Sequence, residues 1–181
     1  MNKKKISVKD ITIAALLTAL ALLIPHFIPS ITIEPIFTMT LTAHMPAILS
    51  MFVGPFAVIG TAVGSALGFF LKLGPWVSLR AFSHIIFCFL GYKMISKKWN
   101  VFLIVLLTGL IHAAAEIVVG FISILSVGMP AGGIFNGIIL VIGAGTFIHH
   151  CIDFAISLVV LYALKSAYVL NVDVNFKSLK G

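Results

Sequence analysis

Apolar runs long enough to cross about 30 Å of hydrocarbon recur along the whole chain, and no other architecture tolerates so many of them. Of the 181 residues, 61% are hydrophobic and only 9% are charged, and mean hydropathy is +1.20. A soluble domain carries roughly a quarter charged residues, so a greasy globular protein is excluded in favour of an integral membrane domain. Prolines, glycines and lysines divide the runs into six segments: about Val8–Ile24, Leu41–Val53, Phe56–Leu71, Trp76–Ile95, Val101–Ser126, and a last one beginning near Asn136 to Ile142 and ending near Ala167. Between the first two lies His26–Thr40, where Pro29 and Pro35 deny helical hydrogen bonds and predict a long, partly extended loop. A glycine-rich loop, Gly128–Gly133, precedes the sixth segment. The expected fold is therefore an all-α integral membrane protein, a compact bundle of six transmembrane helices over residues 1–170. A short, polar, disordered tail is expected over 171–181.

Charge orients the bundle. Six spans put Lys3, Lys4, Lys5, Lys9, Lys93, Lys97, Lys98, Lys165, Lys177 and Lys180 on one side and only Lys72 on the other. The positive-inside rule then makes both termini cytoplasmic, with the proline-rich and glycine-rich loops outside. The net charge of +7 needs no nucleic-acid partner, because no basic stripe is interleaved with exposed aromatics. The lysines before segment one resemble a signal peptide, but apolar residues continue to Ile24 and five more spans follow, so a retained first helix is expected.

Small residues recur at every fourth position on two segments: Ala15 and Ala19 on the first, Gly60, Gly64 and Gly68 on the third. In lipid such faces let another helix approach closely, either a partner protein or a neighbour in the same bundle.

No phosphate-cradling loop, Ser-His-Asp order or His-Glu-x-x-His motif occurs, so neither ATP hydrolysis nor zinc-protease chemistry is expected, and the chain reads as no enzyme. Cys88 and Cys151 lie inside apolar segments as small hydrophobes. His149-His150 with Asp153 is incomplete as a metal site, and no metal is expected.

The chemistry-bearing signal is a set of ionisable residues within apolar spans, which are costly in lipid and line cavities or pair with one another. Arg80 and His84 share a face of segment four, and His112 and Glu116 share a face of segment five. His149 or His150 shares a face with Asp153 on segment six; both cannot point inward. Three consecutive helices thus offer polar faces that can converge on one pocket opening outward under the first loop. His26 and His44 read more readily as polar loop or interface residues, although His44, at the outer end of segment two, is kept among the pocket candidates. The Arg80 guanidinium is a planar fork matching a carboxylate. Phe69, Trp76 and Phe82 offer aromatic faces, which together with that fork suit a small aromatic acid.

Together these features resemble the substrate-binding S component of energy-coupling factor (ECF) vitamin transporters. Thr38-Met39-Thr40-Leu41-Thr42-Ala43-His44-Met45-Pro46, Leu79-Arg80-Ala81-Phe82-Ser83-His84 and Gly64-Ser65-Ala66-Leu67-Gly68-Phe69-Phe70-Leu71 look similar to its niacin-type branch. The resemblance implies a multi-pass protein of a bacterial plasma membrane that binds a small vitamin, nicotinic acid or nicotinamide, near the outer face between the later helices and the first loop, where the residues already singled out, Arg80, His84, His112, Glu116, Asp153, His44 and Trp76, are the expected contacts. It implies docking through Ala15, Ala19, Gly60 and Gly64 on a transmembrane coupling subunit, with ATP used by two partner ATPase subunits and no cofactor in this chain. Glu34, in the first loop, disfavours an anionic ligand and keeps nicotinamide in view beside nicotinic acid. The alternatives are a stand-alone proton-coupled secondary transporter using Glu116, His112 and Asp153, for which no internal repeat is evident, and a membrane enzyme with a metal at His149, His150 and Asp153.

Overall fold

A computed structural model describes residues 7–33, 37–130, 132–170 and 174–176, with Ile33 described by its backbone. Glu34, the lysines at 3–5 and Lys177 and Lys180 lie outside the described residues. The chain forms α1 (Val8–Phe27), a hairpin of β1 (Ser30–Ile33) and β2 (Phe37–Thr40), α2 (Met45–Val53), α3 (Pro55–Leu73), α4 (Pro75–Ser96) and α5 (Val101–Val127). A π-helical stretch (Ile134–Ala144) then runs straight into α6 (Gly145–Ser166).

Local chemistry sets these boundaries. The Ser7 hydroxyl accepts from the Asp10 amide and the Asp10 carboxylate accepts from the Ser7 amide, both at 3.1 Å, a reciprocal cap that starts α1. Pro25 does not end that helix as its ring suggests; it falls in the last turn, which closes through Ile28 N–H to the Ile24 carbonyl. The Lys72 ammonium, from the end of α3, donates to the Pro25 carbonyl and, at 3.4 Å, to that of Ile28, placing a cation at the negative ends of both helices. Gly74 takes φ 84°, which a side chain resists, and Pro75 follows with its φ already helical, so α3 ends and α4 begins within two residues.

The outside of the bundle is apolar and the inside unusually polar. Leu16, Leu20, Ile59, Val63, Leu67, Phe70 and Ile86 are exposed, whereas Arg80, His84, His112, Glu116, His150 and Asp153 are buried. That inversion suits a lipid solvent. The protein is a helical membrane protein in which Val8–Phe27, Pro55–Leu73, Val101–Val127 and Ile134–Ser166 are long and apolar enough to cross a bilayer. Helix α4 matches them in length, but Arg80, His84 and Lys93 lower its hydropathy. Segment two departs from the expected span: α2 has nine residues, about 14 Å of helix, half the hydrocarbon thickness. It lies in the core, touching α1, α3, α4 and α6, with Ile48 and Met51 fully buried.

The extended first loop is a β-hairpin, Ser30 opposite Thr40 and Ile33 opposite Phe37, reinforced by the Ser30 and Thr40 hydroxyls at 2.7 Å. The tail departs from the disordered expectation at 174–176: Val101 N–H donates to the Asn175 carbonyl and the Asn175 side-chain amide to the Lys98 carbonyl, both at 2.8 Å. Lys9 reaches the Tyr168 carbonyl at 2.9 Å. The start of α1 therefore lies beside the end of α6, at one end of the bundle.

The glycine face of α3 is used inside the molecule. A Cβ at Gly64 would lie 2.5 Å from the Thr18 carbonyl oxygen, and at Gly60 and Gly68 it would strike the Thr18 hydroxyl and the Leu22 carbonyl. The face expected to dock a partner through Gly60 and Gly64 is thus pressed against α1 within this chain, because only bare backbone lets these two helices pack so closely.

Candidate functional site

Strand β2, the turn before α2 and helices α3, α4, α5 and α6 converge on one small cavity of about 20 Å³, room for a single water or ion. Strand β2 roofs it with Phe37, Thr38 and Thr40, the turn before α2 supplies His44, α4 supplies Arg80 and His84, α5 supplies Glu116, and α6 supplies Thr146 and His149. The uninterrupted helix from Ile134 carries Thr146, His149, His150 and Asp153 on consecutive inward turns.

Glu116 is the first anchor. Its Oε2 accepts from Arg80 Nε at 2.9 Å, from Arg80 Nη2 at 2.5 Å and from the Thr146 hydroxyl at 2.8 Å. Its other oxygen, Oε1, faces His112 Nε2 at 3.3 Å and His84 Nε2 at 3.6 Å. Arg80 is 6% exposed, so it is no snorkelling anchor, and its guanidinium also lies 5.5 Å over the Phe37 ring.

Asp153 is the second anchor. From α6 it accepts the Thr42 amide at 2.9 Å, the His44 amide at 3.0 Å and His44 Nδ1 at 3.0 Å. A carboxylate from another helix thereby caps the start of α2 and holds the turn in which Thr42 adopts φ 66°. The same bonds fix the His44 ring edge-on to His84, His112 and His149 at centroid separations of 4.6, 4.6 and 4.5 Å. His150 lies one layer back, its Nδ1 3.3 Å from His112 Nδ1 and its Nε2 3.1 Å from the Thr108 hydroxyl.

Arg80, His84, His112, Glu116, Asp153 and His44 are all brought together. His44, which reads as a loop residue in the sequence, stands at the centre. His149 and His150 are both buried, contrary to the expectation that only one points inward: α6 packs between α2 and α5, so adjacent side chains each meet protein. Only His149 lines the cavity. Trp76 does not; it lines an adjacent small cavity that shares Thr38, Val77 and Arg80. Phe69 lines the main cavity, whereas Phe82 points outward, 43% exposed. Ala15 and Ala19 are exposed on the outer face of α1. Thr146, Thr108 and Phe37 escape sequence reasoning; Thr146 alone had a weak signal, one turn before His149 and His150. No ligand spacing is complete within one helix, yet the fold gathers one ligand atom each from His44, His84, His112 and Glu116 within 4.8 Å, and likewise from His44, His149 and Asp153.

An apolar belt around a small polar cavity, with a fixed acid and a fixed base at its wall and a second acid behind His44 and His149, defines a multi-pass membrane protein built to hold a small polar solute. The chain is 31% identical, over 97% of its length, to the niacin transporter NiaX of Lactococcus lactis subsp. cremoris, of which it covers 83%. It belongs to this family of niacin transporters, and it is a transport protein rather than an enzyme. No protein-family model and no solved structure matches the chain.

Proposed function

We propose that this chain is the substrate-binding S component of an ECF-type importer, and that it binds niacin in the cavity beneath the β1–β2 hairpin. The relationship to NiaX across nearly the whole chain carries this reading. The cavity supports it, since imidazole edges, hydroxyls and Phe37 and Phe69 surround a space closed by one hairpin. A pyridine ring exceeds the present cavity, so binding requires β2 to give way.

In this reading the bundle contributes six membrane segments with α2 a short, covered one. Lys9, Lys97, Lys98 and Lys165 mark the cytoplasmic end, which both termini share. The exposed small face of Ala15 and Ala19 docks on the coupling subunit, and two ATPase subunits supply the energy. Among the described residues, the fixed charges at the cavity wall and behind it, Arg80, Glu116 and Asp153, sum to −1. Neutral nicotinamide enters such a site without penalty, while nicotinic acid needs a further positive charge there.

The test is a titration of the purified chain in detergent with nicotinic acid, nicotinamide, pantothenate, thiamine and riboflavin, read by the fluorescence of Trp76 and Trp99. Saturable binding of a niacin form without ATP is expected. Tight binding of a different vitamin overturns the substrate, and failure to co-purify with coupling and ATPase subunits overturns the importer assignment.

A further inference from the structure

The proton positions around His112 expose an electrostatic conflict. The Thr108 hydroxyl donates its one proton to the Ile104 carbonyl at 2.5 Å, so its oxygen accepts from His150 Nε2–H at 3.1 Å. His150 Nδ1 then bears a lone pair, and His112 Nδ1 must donate to it across 3.3 Å. In a neutral His112 the lone pair falls on Nε2, which faces Glu116 Oε1 at 3.3 Å. Two acceptors cannot share that contact without a cation between them. His84 aims its Nε2 at the same oxygen from 3.6 Å, and neither of its buried ring nitrogens has a hydrogen-bond partner.

We propose that His44, His84, His112 and Glu116 hold a divalent transition-metal ion of the zinc class. A tetrahedron with bonds of roughly 2.0–2.1 Å has edges of about 3.3–3.4 Å, close to the separations of Glu116 Oε1 from the two imidazole nitrogens. For three of the four ligands the atoms facing away from the ion are already held, and His84 Nδ1 is left without a partner. Asp153 takes His44 Nδ1–H, His150 takes His112 Nδ1–H, and Arg80 and Thr146 take Glu116 Oε2. Such outer bonds fix the tautomer and aim of metal ligands. Three neutral imidazoles and one carboxylate suit zinc, nickel or cobalt rather than calcium or magnesium. The ion turns the fixed charge of −1 into +1, which reverses the penalty on an anionic solute. Resting on the niacin reading, a second step follows: the ion expands from four to five ligands and anchors the substrate through its carboxylate or its ring nitrogen.

The experiment uses tag-free protein, stripped with chelator and reloaded with Zn(II) or Co(II). One equivalent of metal by mass spectrometry is expected, with the visible absorption of tetrahedral Co(II). His84→Ala, which forfeits no hydrogen bond, loses the ion and the spectrum. His26→Ala, at the exposed end of α1, keeps both. Asp153→Asn weakens metal affinity by about 10–100-fold. Absence of stoichiometric metal in folded protein, or metal that survives in His84→Ala, overturns the ion site and leaves an imidazolium at His112 as the cation. Nicotinic acid is then titrated into stripped and reloaded protein. Affinity at least about tenfold higher with metal supports the anchor; equal affinity overturns it while the ion site stands. Metal binding without any vitamin binding by either form overturns the niacin reading alone.

Discussion

Glu116 and Arg80 meet through a single carboxylate oxygen, Oε2, which takes both the Nε and the Nη2 of the guanidinium and leaves Oε1 facing the histidines. The fork that the sequence offers to a substrate carboxylate is thus already engaged by a carboxylate of the protein. Removing either partner breaks a buried ion pair. Arg80→Ala and Glu116→Ala are each expected to cost about 3–5 kcal/mol of stability, and the double variant less than their sum. Thermal unfolding in detergent checks this; an unchanged melting temperature in either single variant contradicts it.

Asp153 works on the backbone as well as on His44. In Asp153→Asn an amide group faces two N–H donors and an imidazole N–H, so at least one of them loses its acceptor. A loss of about 1–3 kcal/mol is expected. The turn at 41–44 should also become susceptible to proteolysis, which limited digestion followed by mass spectrometry reads directly. Retention of wild-type protection would mean that the turn holds without its carboxylate.

Helices α1 and α3 are separated by nothing larger than a hydrogen at Gly64 and Gly68. Gly68→Ala drives a methyl into the Leu22 carbonyl, and backbone cannot swing aside as a side chain does. A destabilisation of roughly 1–3 kcal/mol is expected, growing in Gly64→Leu. Melting curves check it, and a neutral Gly68→Ala would mean that the two helices slide apart at no cost.

Ala15 and Ala19 make the opposite prediction. Both are exposed, so Ala15→Leu and Ala19→Leu should leave melting temperature and vitamin binding within error of wild type. Vitamin uptake by cells and recovery of the coupling subunit on purification should be lost. Undiminished uptake would remove α1 from the docking surface.

The membrane class, the segment boundaries within a few residues and the ionisable residues carried inside the apolar spans, Arg80, Glu116 and Asp153, were legible in the sequence. Each rests on a local cause: apolar length, Gly-Pro breaks and the Lys97-Lys98-Trp99-Asn100 turn, and the cost of charge in lipid. Residue-by-residue outcomes were less legible where a second element decides. Nothing local to His44 distinguishes a loop histidine from the centre of a cluster; Asp153, 109 positions away, does that by capping its amide and its ring. Gly60 and Gly64 read equally well as a docking face or an internal one until Thr18 is seen against them. Trp76 and Phe82 lie on the right helix and miss the main cavity, Trp76 because it sits one turn before Arg80 and Phe82 because it points to the outer face.

By itself the sequence determined that this chain is a helical membrane protein and which costly polar side chains it carries inside, because hydropathy and charge act on each segment independently of its neighbours. Only the tertiary structure decided which acid meets which base, which histidines share a wall and where the glycine face is covered. Those are distances between α2, α4, α5 and α6, and between α1 and α3, and no segment encodes them alone.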